Sequence, residues 1–116
     1  MQENEPETFY AESRQAWRAW LQEHHISRQF IWLVRYKKKS GVPTLSWSES
    51  VDEALCFGWI DSTAKTLDDD RFMQYFCKRK ANSVWSKINK DKIDRLMEED
   101  LIAAAGHASI ERAKQN

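Results

Sequence analysis

Nine consecutive residues, Ala54-Leu55-Cys56-Phe57-Gly58-Trp59-Ile60-Asp61-Ser62, restrict the fold more than any other part of the chain. The tract is apolar or glycine up to Ile60, so it belongs in a core, yet it ends in a carboxylate and a hydroxyl that need partners if they are enclosed. Just upstream, Ser46 and Glu49 form an S-x-x-E capping box, in which hydroxyl and carboxylate each satisfy a free backbone N–H at a helix start. A helix is therefore expected from about Trp47 to Phe57, with Val51, Ala54 and Leu55 facing inward and Gly58 as its left-handed terminator. A strand then begins at Trp59.

Residues 59–66 and 71–78 flank Leu67-Asp68-Asp69-Asp70, a turn composition, which predicts an antiparallel hairpin over 59–78. Phe30-Ile31-Trp32-Leu33-Val34-Arg35-Tyr36 reads as a further strand, ended by Lys37-Lys38-Lys39-Ser40-Gly41. Tyr10, Arg14, Trp17, Trp20 and Leu21 recur at helical spacing and predict a helix ending near His24-His25. Ser83 is the expected N-cap for a helix carrying Trp85, Ile88, Ile93, Leu96 and Met97 to about Asp100. A short turn over 101–105 closed by Gly106 and a final helix over 109–114 complete the chain. The expected architecture is α+β: about three antiparallel strands packed against several helices, with residues 1–8 a flexible N-terminus and 9–116 a single domain.

Composition narrows the setting. With 14 aromatic residues in 116, the chain can build a real core, and 31% charged residues give it a solvated exterior. No apolar run is long enough to cross a membrane and the first residues are acidic, which points to a cytoplasmic protein. Cys56 and Cys77 lack metal-ligand spacing, so no metal or cofactor is expected. A formal net charge of zero makes nucleic acid an unlikely partner, although the charge is uneven along the chain. Residues 28–39 hold five basic side chains and no acidic ones, whereas residues 48–70 hold seven acidic ones against Lys65 alone.

Strand alternation puts Trp59, Asp61, Thr63 and Lys65 on one face, which sets Asp61 beside an indole. Arg79 is the cation chosen to pair with it, because a guanidinium fork matches a carboxylate. Two readings follow: the pair pins the hairpin to the next helix, or Asp61, Arg79, Ser83, Ser86 and Asn89 converge on a pocket walled by Trp59 and Trp85 for a small anionic or amphipathic ligand. No histidine is placed for a nucleophilic triad, so an enzyme acting on a small polar molecule, with Asp61 as acid or base, is the lesser alternative. A second alternative groups Arg35, Lys37, Lys38, Lys78, Lys80 and Lys87 into a phosphate- or nucleic-acid-binding patch with Tyr36 and Trp85 as stacking platforms.

The run Ala54–Ser62, Arg79, and Ser83-x-Trp85-Ser86-x-x-Asn89, joined by Trp20-Leu21, Trp32-Leu33-Val34 and Tyr36-Lys37-Lys38, together resemble the YdeI/OmpD-associated, or bacteriocin-protection, protein family. The resemblance extends over roughly 17–114, with Lys78 where that family usually has proline, a change that frees an N–H and loosens φ at this corner. It implies a small bacterial binding or interaction protein linked to tolerance of bacteriocins or antimicrobial peptides. It also implies an indirect link to an outer-membrane porin, and no settled catalytic activity.

Overall fold

Ser13 and Ser46 open two helices in the same way. Each holds extended backbone and accepts a hydrogen bond from the N–H three residues on, Ala16 for one and Glu49 for the other, while the Ser46 N–H donates to the Glu49 carboxylate at 2.9 Å. The computed structural model describes residues 7–80 and 85–114, so the expectations placed on residues 1–6 and on Ser83 lie outside the described residues. The elements are β1 (Thr8–Tyr10), α1 (Arg14–His24), β2 (Phe30–Tyr36), α2 (Trp47–Cys56), β3 (Trp59–Thr66), β4 (Arg71–Lys78), α3 (Lys87–Glu98) and α4 (Ala104–Lys114).

The strands form one sheet in the order β1-β2-β4-β3. The hairpin and the β2 strand stand where the sequence places them, and the α+β class holds. The sheet has a fourth strand, however: β1 lies parallel to β2 and reaches it through α1, the helical crossover that a parallel pair requires. Three residues offer too little alternation to be read as a strand beforehand.

One sheet face, bearing Ile31, Leu33, Trp59 and Phe76, packs under the helices. The Trp17 ring lies 5.2 Å from Phe76, and its indole N–H donates to the Ser50 carbonyl at 2.9 Å. At the centre is α2, which packs against α1, β3, α3 and α4 and buries every residue from Ser50 to Cys56. That includes Asp52 and Glu53, which lie outside the inward set Val51, Ala54 and Leu55 expected from the sequence. Glu53 pairs with Arg14 and with Arg18 at 2.8 Å, and Asp52 with Lys92 at 2.9 Å and Arg95 at 2.7 Å. These cations come from α1 and α3, so the buried acids are counter-charged by the flanking helices.

Three further expectations are corrected. Ser86, rather than Ser83, caps α3, and Trp85 precedes that helix instead of riding on it. Residues 104–114 form one helix that runs through Gly106, because the missing side chain lets α4 close onto the Cys56 carbonyl. A one-residue bulge between Asp61 and Ala64 turns Thr63 and Lys65 away from the face shared by Trp59 and Asp61. Lys65 instead lies over the Trp32 ring, at 5.0 Å, on the far side of the sheet.

Candidate functional site

Asp61 pairs opposite Phe76 and emerges on the helix-covered face beyond Trp59. Its Oδ2 accepts from Gln74 Nε2 at 2.8 Å and from Trp47 Nε1 at 3.2 Å. Gln74 in turn accepts from Arg35 at 3.0 Å, and the Arg35 guanidinium rests 4.3 Å over the Phe72 ring. Burial pushes Arg35 down to about 10, opposed by the charge of Asp61. Arg35 is therefore an interior residue of this polar chain.

Arg79 follows directly on β4. Its backbone N–H donates to the Gly58 carbonyl at 2.9 Å, which ties the strand end to the turn between α2 and β3. Its guanidinium lies 3.9 Å over the Trp85 ring, a stacking that holds the fork in place. Burial pushes its pKa below the usual range, while Asp61 acts in the opposite direction. A desolvated cation of this kind gains from a nearby anion.

Beside Arg79 opens a pocket of about 280 Å³. Four segments distant in sequence build it: the end of α1, the Gly58 turn, the end of β4, and α4. Lys78, Arg79, Arg112 and the imidazole of His25 line it, and no Asp or Glu does among the described residues. Phe57 and Trp59 supply an aromatic wall, with Ala105 and Ala108 leaving room on the α4 side. Several of these groups are already oriented. The Lys78 ammonium donates to the Ile26 carbonyl at 2.9 Å, and His25 Nδ1 donates to the Leu21 carbonyl at 2.6 Å, leaving Nε2 as the ring's other polar atom. The buried Trp59 Nε1 has no hydrogen-bond partner among the described residues.

Of the residues singled out from sequence, Trp59, Lys78 and Arg79 meet in this pocket and Trp85 backs Arg79. Asp61 stands behind, engaged by Trp47 and Gln74. Ser86 accepts from the Asn89 N–H at 3.1 Å, a capping bond that accounts for the Ser-x-x-Asn spacing as helix architecture. Ser83 lies outside the described residues. The basic residues do not form one surface: Lys37 and Lys38 follow the end of β2 that pairs with Arg71, while Lys78 closes the opposite end of the sheet, and Lys87 pairs with Asp91 at 3.3 Å. Lys80 is exposed past β4.

His25, Phe57 and Arg112 were not anticipated as site residues. Arg112 shows why. Ala105, Ala108 and Arg112 share a helix face only because α4 is continuous through Gly106, and a helix broken at that glycine hides the spacing.

The family model for a domain of unknown function, DUF8412, matches residues 9–109, which takes in His25, the Gly58 turn, Arg79 and Trp85 and stops before Arg112. No curated protein and no solved structure matches the chain.

Proposed function

The chain belongs to the DUF8412 family, a domain of unknown function, and from the chemistry of its own pocket we propose that it is a non-enzymatic binding protein for a small amphipathic anion. One observation carries this reading: Lys78, Arg79 and Arg112, with the His25 imidazole, line a cavity bordered by Phe57 and Trp59, and no Asp or Glu lines it among the described residues. An anion suits this basic lining, and an apolar substituent covers the rings. Asp61 acts in this reading as an electrostatic support for Arg79, since two N–H groups already occupy its Oδ2.

The setting we propose is the bacterial cytoplasm, where ligand binding would serve tolerance of bacteriocins or antimicrobial peptides. In line with this setting, no helix among the described residues is long and apolar enough to cross a membrane. Loss of the protein is then expected to increase killing by such a peptide, and Arg112→Glu should fail to restore survival. Full rescue by that variant would separate the pocket from the phenotype.

Binding itself is tested by heteronuclear NMR with benzoate and benzenesulfonate as probes. The Gly58 and Arg79 amides and the Trp59 indole N–H should shift together and saturate. Shifts that stay linear and scatter over exposed lysines would sink the proposal.

A further inference from the structure

We propose that the sheet face turned away from the helices pairs with the same face of a second copy of this chain, about a two-fold axis running along the strands. Buried residues of α1, α2, α3 and α4 all join the cluster that holds Ile31, Leu33 and Phe76, so no described helix covers the opposite face. Tyr10, Phe30, Trp32, Tyr36 and Tyr75 stand there outside that cluster and pack on one another. Phe30 stacks on Tyr75 at 5.4 Å, Trp32 meets Tyr75 at 5.1 Å, and Tyr10 meets Tyr36 at 5.1 Å. Val34 and Met73 are buried among them, also apart from the main core. The single acidic residue of the four strands, Asp61, is on the helix side. A contiguous apolar patch of this kind marks a surface that a partner covers.

The identity of the partner follows from the strand register. One row across the sheet carries Tyr10, Val34, Met73 and Lys65; the rows on either side carry Trp32 with Tyr75 and Tyr36 with Arg71. Two such sheets packed in alignment about an axis along the strands set β2 of one copy over β4 of the other, and β1 over β3. Each row then meets its own complement. Val34 lies on the partner's Met73, Trp32 on the partner's Tyr75, and Tyr36 on the partner's Arg71, a cation over a ring. At the edges Lys65 comes to the partner's β1, where exposed Glu12 stands two residues beyond Tyr10. Neither Lys65 nor Glu12 has an ion pair among the described residues, and the axis supplies each with its opposite charge, twice over.

Area sets the strength. Four strands ~4.8 Å apart, with the 7 residues of β2 rising ~3.3 Å each, give a face of ~19 by ~23 Å, or ~440 Å² per copy. Two such faces bury on the order of 900 Å², at the low end of specific interfaces, so the dimer is weak, with a Kd on the order of 10 µM. None of these residues lines the pocket, so association and ligand binding use separate surfaces.

The test is sedimentation velocity of the full chain from about 1 to 500 µM, a span that brackets this Kd. The average mass should rise from one chain towards two. Lys65→Glu and Glu12→Lys, both at exposed positions, should each weaken the dimer about tenfold, because the axis repeats the contact, and the double reversal should restore it. Tyr75→Arg, shown to be folded by circular dichroism, should abolish pairing; if it unfolds, the charge reversals decide alone. A chain that stays monomeric throughout overturns the proposal. A dimer that ignores both reversals, or that survives Tyr75→Arg, is built on another surface and overturns it equally. A monomer that binds labelled oligothymidine, and loses that binding in Tyr75→Arg, gives the face to nucleic acid and overturns the second copy.

Discussion

Asp61 illustrates how one side chain serves the fold and tunes a site at once. It accepts from Trp47 and Gln74, and its charge favours both Arg35 and Arg79. Asp61→Asn keeps an oxygen for those donors but removes the charge, so stability should fall by about 1–3 kcal/mol in urea denaturation. The same variant should bind a small anion such as benzoate more tightly, because a negative charge behind Arg79 has gone. Weaker binding would mean that Asp61 positions Arg79 rather than opposing the ligand. Cys56 offers a second residue-level test. Burial pushes its thiol from 9.0 up to about 11, with Arg18 lowering it and Glu53 and Asp52 raising it further. The folded state therefore holds this proton more firmly than the unfolded chain, and its contribution to stability is complete below pH ~9 and lost as pH rises through about 11. The fall in unfolding free energy across that window should be shallower in Cys56→Ala than in the parent. Identical slopes would contradict the assignment.

At the scale of elements, the α2 to β3 passage depends on two glycines for different reasons. Gly58 has φ +76°, and a Cβ there would also sit 2.9 Å from the Ala105 carbonyl oxygen. Gly106 has ordinary helical backbone, but its Cβ would run into the Cys56 carbonyl. Gly58→Ala should cost about 1–2 kcal/mol from the left-handed backbone alone. Gly106→Ala should cost about 1–3 kcal/mol from overpacking. Thermal melts of both variants check this, and an unchanged midpoint for Gly106→Ala would mean that α4 shifts freely. The two glycines also mark what the sequence made readable. Gly58 follows a capping box and an apolar run, a local signal that places the helix, the turn and the strand correctly. Gly106 carries the same local signal for a helix end, yet the Cys56 backbone it meets lies about fifty residues away in sequence. Close approach between distant segments leaves no mark in a local pattern. The bulge after Asp61 escaped notice for a related reason, since strict alternation assumes a register that only the partner strand sets.

Across the whole molecule, α2 behaves as a central post whose charged residues point at its neighbours. Amphipathic spacing predicted its apolar face, but not that Asp52 and Glu53 would be buried, because their counter-ions sit on α1 and α3. The pocket is hidden from the sequence in the same way: its lining comes from four distant segments, of which the strongest motif contributes Phe57, Gly58 and Trp59. The two features differ in consequence. Asp52 and Glu53 are saturated by protein cations, so they hold the helices together, whereas the pocket gathers cations without a lining carboxylate among the described residues. Glu53→Gln separates the roles. It leaves Arg18 facing a neutral amide and Arg14 with only Asp52, at 3.6 Å, which should cost about 3 kcal/mol in urea denaturation. Replacing Arg18 by Met in the same chain should recover part of that loss, because the surplus charge goes with it. Neither change touches the pocket cations. At a temperature where both variants remain folded, benzoate affinity should therefore match the parent, and a parallel loss of binding would make the acid network part of the site.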